Sequence, residues 1–255
     1  MMTEGQVVKS SLIGREHDEM GQGIPSLQDL ALTGDRNGSQ GVDSFQIQIA
    51  RSHEEVEEAR DLVKKMYSLY GFKAKHMIQN TQNSTTMIAR DPVGTIVGTI
   101  TIHRDSKSEG LYSDEGYKSE IDRLRVQSRS ICEFNGLAVD PNVRSPQLLA
   151  HLFHIAMLFP SEMYRVTDAI IEVSYKHAKF YERLLGFSRL GEGRYCPRVE
   201  SVGVLLHRDF DEFKNKLAQG SGKIKKGLRK DRTFFLHRFS TIDPTLSLQG
   251  LRMCP

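Results

Sequence analysis

The sequence predicts an α/β fold in which helices flank a mixed β-sheet. Segments with strand-like and helix-like patterns alternate in the order strand, helix, hairpin, strand, helix, strand, helix, strand. A strand at residues 130–139 leads into a helix that begins at Ser145-Pro146, and a second strand at Asp168–Val173 leads into another helix. Such strand-to-helix units form parallel crossovers, which are typical of the α/β class.

Composition restricts the classes of protein that fit. The chain has 255 residues, 38% of them hydrophobic, and a net charge of +3, which alone does not predict nucleic-acid binding. No run approaches the roughly 18–20 apolar residues of a membrane span, and the first residues lack the apolar segment of a signal peptide, so we expect a cytoplasmic protein. Cys132, Cys196 and Cys254 show no metal-binding spacing, so neither disulfides nor a metal site is expected.

Three regions are predicted along the chain. Residues 1–43 are polar and are interpreted as a mobile arm, and residues 44–220 as the folded domain. Residues 221–255 form a tail that either packs on the domain or is partly disordered. Its basic cluster, from Lys223 to Arg232, either docks a partner or only keeps the tail soluble.

The first half of the domain has clear local signals. The strict alternation of Phe45–Ile49 predicts a strand, and Ser52 with Glu55 forms the capping box of a helix that ends at Gly71. Residues 85–89 and 95–102 form a hairpin around an Asp-Pro-Val-Gly turn. The long connection 107–129, with a short helix, is interpreted as a cover over the substrate.

The second half carries the chemical groups. Glu133 is a lone carboxylate in an apolar strand, and Ser145 with Pro146 starts a helix whose first N–H groups, together with Arg144, predict a phosphate site. We expect Pro160 to end this helix. Further on, His177 and Tyr181 share one helix face. Phe180, Leu184 and Leu185 face the core, Gly186 ends the helix, and a strand at 201–206 and a helix at 210–218 follow.

Several segments also occur in an order and spacing that resemble one family. They are Gly94–Thr101, Asp105-Ser106, Gly110-Leu111, Glu120–Arg125, Cys132-Glu133, Leu137–Asp140 and Lys176–Phe187. Together they resemble the FeeM-type N-acyl amino acid synthases, which have a GNAT-like fold and are distant relatives of the LuxI-type autoinducer synthases. The resemblance covers about residues 45–210 and implies a mostly antiparallel sheet.

The resemblance implies an N-acyltransferase that moves a long-chain acyl group from acyl carrier protein to the amine of an amino acid. No permanently bound cofactor is expected, because the donor is the acyl-phosphopantetheine of the carrier. The segment Arg144–Leu149 lacks the glycines of GNAT loops that bind coenzyme A, so acyl-CoA is a less expected donor. Contact with a membrane through the lipid product is left open, and no nucleic acid is expected.

Roles for individual residues follow from this comparison. Glu133 is expected to deprotonate or bind the amine, and His177 or Tyr181 to protonate the departing thiolate or to fix the acceptor. Backbone N–H groups between Leu137 and Val139 would hold the oxyanion. The remaining residues assigned to substrate binding are Arg144, Ser145, Arg125 and Val173.

Other interpretations stay open at this point. Glu133 would serve structure alone if it paired with Arg123 or Arg125, and Tyr181 would be a core aromatic. Cys132 points away from Glu133 and is expected to be inert. The function would differ in an acyl-homoserine lactone synthase, or in a non-catalytic module that binds a carrier protein or, through the basic tail, nucleic acid.

Overall fold

The computed structural model describes residues 45–73, 78–143 and 145–220 of the chain. The predictions for the N-terminal arm, the basic tail and Arg144 therefore lie outside the described residues. Among the described residues, none of the helices combines the length and the apolarity that crossing a bilayer requires.

The described residues form a mixed α/β structure around an eight-stranded sheet, as predicted. The strands are β1 (Gln46–Ile49), β2 (Ser84–Arg90), β3 (Ile96–Arg104), β4 (Ile131–Val139), β5 (Asp168–Ser174), β6 (Ser188–Arg189), β7 (Arg194–Cys196) and β8 (Ser201–Asp209). The helices are α1 (His53–Leu69), α2 (Asp114–Val126), α3 (Pro146–Tyr164), α4 (Tyr175–Phe180) and α5 (Phe210–Gly220).

The sheet order is β1-β2-β3-β4-β5-β8-β6, with β7 also paired to β8. The β4–β5 pair is parallel, and the other pairs are antiparallel. β4 and β5 pair only as far as Phe134 and Ile171, although both strands continue beyond these residues. The two central strands therefore separate toward their carboxyl ends, which opens a gap in the middle of the sheet.

The two faces of the sheet are covered by different helices. α1 begins with the predicted capping box of Ser52 and Glu55 and packs Val63 and Met66 against one face. α3 packs on the opposite face, where Phe153 lies in the largest apolar cluster. Apolar side chains therefore cover both faces of the sheet.

The connection before β4 corrects one expectation. α2 was expected to cover the substrate, but it packs Tyr117, Ile121 and Leu124 against the sheet beside Ile170. Burial of these apolar side chains gives the segment a structural role. Its N-cap residue, Ser113, contacts Glu133 of the predicted site.

The end of α3 also differs from the prediction. Pro160 lies inside the helix, which continues to Tyr164. Pro160 lacks an N–H, so one helical hydrogen bond is lost. Its carbonyl is nevertheless used, because it accepts a hydrogen bond from Val166 N–H at 3.2 Å, and Arg165 ends the helix in the left-handed conformation.

The segment after α4 contains a short π-helix, Tyr181–Leu185. The sequence has one more residue between Tyr181 and Gly186 than ordinary GNAT helices have, and a π-turn is the usual way for a helix to hold an extra residue. Gly186, with a φ of 69°, then ends the helix as predicted. Tyr181 consequently keeps its place at the start of the turn, facing the interior.

A β-bulge in β4 lies directly beside the gap. The register with β3 shifts between Thr99 and Thr101, opposite Gly136, whose φ is +58°. A Cβ atom at Gly136 would lie 2.8 Å from the Cγ1 atom of Ile78. Glycine is therefore required here for two independent reasons, the left-handed backbone and the close approach of Ile78.

We expect Gly136→Ala to lower the free energy of unfolding by about 1–3 kcal/mol, because the variant combines a left-handed backbone with overpacking. Urea denaturation of the full chain measures this change. Gly116→Ala is the matched control, since nothing lies within 4 Å of a Cβ at that helical position. The control should keep or slightly raise stability, and equal effects of the two substitutions would contradict the explanation for Gly136.

Candidate active site

The gap between β4 and β5 forms a cavity of about 150 Å³. Its walls come from the carboxyl-terminal halves of β4 and β5, from the end of α1, from α4, and from β7, β8 and the segment that joins them. Six residues that the sequence singled out line it together: Glu133, Leu137, Val139, Val173, His177 and Tyr181. The cavity is therefore the candidate active site.

Glu133 is the buried carboxylate of this site, with 1% of its surface exposed. It accepts hydrogen bonds from the Ser113 hydroxyl at 2.7 Å and from the Ser113 N–H at 3.1 Å. Burial raises the pKa of Glu133, and the nearby Arg198 guanidinium and Ser113 only partly oppose this effect. A carboxylate with a raised pKa is a stronger base than one in water, which suits removal of a proton from an ammonium group.

The structure does not support the alternative in which Glu133 pairs with Arg123 or Arg125. Arg125 instead forms ion pairs with Asp105 and Asp114 at 2.7 Å and with Asp122 at 2.8 Å. It does not line the cavity, so its assignment to substrate binding is corrected. Three carboxylates use its guanidinium, which ties α2 to the loop after β3.

His177 and Tyr181 reach the cavity from α4 and the π-turn. The Nδ1 atom of His177 lies 3.0 Å from the Ser174 hydroxyl, and burial lowers the pKa of this histidine, so it is neutral at pH 7. Burial raises the pKa of Tyr181, so its phenol stays protonated. The Tyr181 ring also packs edge-on against Phe153. Tyr181 therefore both packs in the core and lines the cavity.

The edge of β4 supplies backbone groups to the cavity. Leu137 and Val139 lie beyond Phe134, the last residue of β4 that pairs with β5. Both residues line the cavity, and Val173 lines it from β5. A strand edge without a partner leaves N–H groups for other hydrogen bonds, and such donors are what an oxyanion requires.

The start of α3 differs from the expected phosphate site. Ser145 is the N-cap, as predicted, but it is buried and does not line the cavity, whereas Leu149 one turn later does. The Ser145 hydroxyl accepts a hydrogen bond from Leu148 N–H at 3.2 Å, and Pro146 has no N–H. The helix therefore offers fewer donors to an anion than a glycine-rich loop does.

Two charged residues of the site were missed by the sequence analysis. Glu172 on β5 and Arg198 form an ion pair at 2.5 Å, and both line the cavity. Burial raises the pKa of Glu172, an effect that Arg198 partly offsets. Glu172 has the same signal as Glu133, a lone carboxylate in an apolar strand. Arg198 follows a proline in an irregular segment and has no such signal.

The end of α1 adds aromatic side chains that were also missed. Tyr67 and Tyr70 line the cavity, and the rings of Tyr70 and His177 meet edge-on with centroids 6.5 Å apart. Burial raises the pKa of Tyr67 to about 12. The helical periodicity placed Tyr70 on the apolar face of α1 and gave no sign that this face ends at a cavity.

Cys132 behaves as the alternation of the strand predicts. Its side chain is fully buried in the apolar cluster beneath α3, on the opposite face of β4 from Glu133. Burial raises the pKa of this thiol well above its ordinary value. A thiol in such a place is not a nucleophile at neutral pH.

Comparison with protein families gives one match that covers more than half of the chain. The family model described as N-acyl amino acid synthase FeeM matches residues 58–209. This segment contains β4, β5, α4 and the segment with Arg198, and it includes every residue that lines the cavity. No curated protein matches the chain.

The chain also resembles solved structures of other proteins. The structure of FeeM, an N-acyl amino acid synthase from uncultured soil microbes, has a TM-score of 0.63 and 24% sequence identity, and the match covers 69% of this chain and 96% of that one. An acyl-CoA N-acyltransferase from Pseudomonas aeruginosa has a TM-score of 0.49 and 10% identity, with 65% of this chain and 99% of that one covered. The first of these likenesses shows the fold.

Proposed function

The chain belongs to the FeeM family of N-acyl amino acid synthases and is an N-acyltransferase with a GNAT-like fold, and from this premise we propose that it transfers a long-chain acyl group from acyl carrier protein to the amine of an amino acid. One observation carries the proposal. Glu133 is a buried carboxylate at the point where β4 and β5 separate, and it faces a cavity with mostly apolar walls.

The reaction is the aminolysis of a thioester. Glu133 takes a proton from the acceptor's ammonium group, because only the neutral amine has a free electron pair. The amine nitrogen attacks the thioester carbon, and N–H groups on the open edge of β4 between Leu137 and Val139 stabilise the oxyanion that forms. The carbon–sulfur bond then breaks, the nitrogen loses its second proton and the sulfur gains one, which leaves an amide and the thiol of the phosphopantetheine.

The pKa shifts favour Tyr181 over His177 as the group that assists the departing sulfur. Burial lowers the pKa of His177, so this side chain is not the imidazolium form that would act as a strong acid. The phenol of Tyr181 keeps its proton because burial raises its pKa. In the proposal Tyr181 donates a hydrogen bond to the sulfur as it leaves, while His177 contacts the acceptor or the pantetheine arm.

Apolar side chains on the cavity wall suit an acyl chain. Met66, Phe72 and Leu149 come from three different segments and line the cavity beside Leu137 and Val173. Their surface gains free energy from burial against methylene groups, at roughly 0.8 kcal/mol for each buried CH₂. This supports a donor with a hydrocarbon chain, since a short acyl group would leave part of the apolar wall without contact.

The start of α3 bears on the identity of the donor. With Pro146 at the first position and the Leu148 N–H bonded to Ser145, the helix lacks the glycine-rich backbone that wraps the pyrophosphate of coenzyme A. A phosphopantetheine arm carries a single phosphate and needs fewer donors. The start of α3 therefore supports acyl carrier protein, and not acyl-CoA, as the donor.

We expect kcat/KM for a long-chain acyl carrier protein to exceed kcat/KM for the matching acyl-CoA by at least about tenfold, the factor that corresponds to ~1.4 kcal/mol of binding. Initial rates with both donors, followed by release of free thiol at a fixed concentration of acceptor, measure the ratio. Unmodified carrier protein without the phosphopantetheine arm is the control for binding through the protein surface. Equal values for the two donors would contradict the single-phosphate argument.

A further inference from the structure

One end of the cavity is polar, and its groups come from three segments of the chain. We call this the polar end and define it as Glu133 and Asn135 on β4, Glu172 on β5, and Arg198. Glu133 and Asn135 lie two residues apart on a strand, so their side chains share a face of the sheet. Residues of β5 and of the β7–β8 connection complete the group.

Asn135 is an unusual buried residue. Only 7% of its surface is exposed, and within the described residues neither its Oδ1 atom nor its Nδ2 atom has a hydrogen-bond partner. Leaving a buried amide unpaired costs free energy, because water would satisfy both atoms in the unfolded chain. A residue that lines a cavity under this penalty is placed to bind something that enters the cavity.

Arg198 has bonding capacity left in the same place. Its guanidinium bonds to Glu172, but its Nε atom has no hydrogen-bond partner within the described part of the chain, and a carboxylate oxygen of Glu115 lies 3.9 Å from it. Arg198 is 14% exposed. Burial opposes its charge, and the carboxylates of Glu133 and Glu172 outweigh this effect and raise the pKa of Arg198.

Glu172 is held in a narrow position that leaves it close to β8. A Cβ atom at Gly203 would lie 2.6 Å from the Oε1 atom of Glu172. Only a residue without a side chain leaves room for this carboxylate, and the Glu172–Arg198 ion pair is thereby fixed beside Glu133. The polar end is consequently a prepared arrangement of charges rather than a chance contact between long side chains.

The charges of the polar end match those of an α-amino acid. Two carboxylates and one guanidinium leave one negative charge without a partner, which an ammonium group can balance. The side-chain amide of asparagine has N–H donors, so Asn135 can donate a hydrogen bond from Nδ2 to a carboxylate. The free Nε atom of Arg198 adds a second donor for a carboxylate.

We propose that Asn135 and Arg198 bind the α-carboxylate of the acceptor while Glu133 and Glu172 bind its ammonium group, so that the site selects α-amino acids over simple amines. The inference rests on the proposed N-acyl transfer and adds to it the residues that recognise the acceptor. Tyr67 and Tyr70 also line the cavity, and in the proposal their rings contact the side chain of the acceptor, which favours an apolar or aromatic amino acid.

The test compares L-phenylalanine with 2-phenylethylamine, and L-leucine with 3-methylbutylamine, as acceptors of the full chain supplied with a long-chain acyl carrier protein. Each pair differs by the carboxylate alone. We expect wild-type kcat/KM to favour the amino acid of each pair. Asn135→Leu should lower kcat/KM for the amino acid by roughly 10–100-fold, the usual effect of losing a hydrogen bond to a charged group, and leave the amine nearly unchanged.

Thr99→Val is the matched control. Thr99 is fully buried on β3, its Oγ1 atom has no hydrogen-bond partner in the described residues, and it does not line the cavity. Both substitutions remove an unpaired buried polar group, so both variants should be as stable as the wild type or more stable. A purely structural role of Asn135 predicts the same unchanged selectivity in both variants.

Isothermal titration of L-phenylalanine into the protein without donor separates this inference from the proposed function. Binding that Asn135→Leu weakens and Thr99→Val does not would support the acceptor site even if no acyl transfer were detected. Asn135→Ser replaces Asn135→Leu if the latter fails to fold. Equal use of amino acids and amines by the wild type would overturn the inference, as would an equal loss for both acceptors in the Asn135 variants.

Discussion

Glu133→Gln should reduce kcat/KM by about 10²–10⁴-fold, the range typical of a lost general base. Glutamine keeps the size of the side chain, and its amide oxygen can still accept a hydrogen bond from Ser113. What the variant loses is the ability to take a proton from the acceptor's ammonium group. Initial rates with acyl carrier protein and an amino acid acceptor, together with thermal unfolding to verify the fold, measure the effect.

The pH dependence of kcat/KM is a second test of Glu133 as the base. Glu133 acts in its ionised form, so activity should fall as the pH falls through its pKa, and burial moves that limb to a higher pH than for a carboxylate in water. In Glu133→Gln this acidic limb should disappear, and only the limb that belongs to the amine should remain. Glu120→Gln is the matched control, because Glu120 is also a buried glutamate but pairs with Arg194 away from the cavity.

A variant Glu133→Gln with wild-type rates across the whole pH range would show that Glu133 has a structural role. Glu133 would then only hold Ser113 in place through its hydrogen bonds. The candidate base would be Glu172, the other carboxylate that lines the cavity.

The second large effect is expected for Tyr181→Phe, which should lower kcat by roughly 10²-fold, at the lower end of the range for a lost proton donor. The substitution removes one hydroxyl group and keeps the ring that packs against Phe153, Phe180 and Phe187. The fold should therefore be unchanged. KM for the carrier donor should change little, because the hydroxyl acts on the sulfur only as the carbon–sulfur bond breaks.

The choice of leaving group tests the role of Tyr181 directly. An acyl thioester of an acidic aryl thiol needs little help to leave, so the deficit of Tyr181→Phe should shrink with that donor and stay large with the carrier donor. Tyr164→Phe serves as the control, since the Tyr164 hydroxyl bonds to Thr85 outside the cavity. A deficit that is the same for both donors would assign Tyr181 to packing or acceptor binding.

Sequence patterns predicted the parts of this structure that depend on near neighbours. The capping box of Ser52 and Glu55 and the left-handed end at Gly186 are set by a few adjacent residues, and both are confirmed. The α/β class and the mixed sheet followed from the order of the elements. The predicted end of α3 at Pro160 was wrong. Pro160 removes only one hydrogen bond, and the helix continues because other contacts hold its last turn.

Residues of the candidate site were predictable where a polar side chain lay among apolar residues of a strand. Glu133 stood out as a carboxylate in an apolar strand, and Glu172 and Asn135 could have been found by the same criterion. Arg198 could not, because it lies in an irregular segment after β7, and only the pairing of β7 with β8 brings it beside Glu172. Arg125 was assigned wrongly because sequence cannot show that three aspartates already surround its guanidinium.

The acyl-homoserine lactone alternative differs from the proposed function in its product. A lactone synthase closes a ring on its acceptor and releases an N-acylated cyclic ester, whereas simple aminolysis gives an open-chain N-acyl amino acid. The polar end holds two carboxylates and a guanidinium, groups that keep the acceptor's carboxylate and ammonium in place. We therefore expect an open-chain product with an intact carboxylate.

Mass spectrometry of one complete reaction tests the central claim most directly. The full chain is incubated with a long-chain acyl carrier protein and an equimolar mixture of the common amino acids. The masses of the carrier and of the extracted products are then measured. We expect one open-chain N-acyl amino acid for each free carrier thiol. Neither the N-acyl amino acid nor the free thiol should form with Glu133→Gln. Release of carrier thiol without any amide, or an unchanged yield of amide in Glu133→Gln, would contradict it.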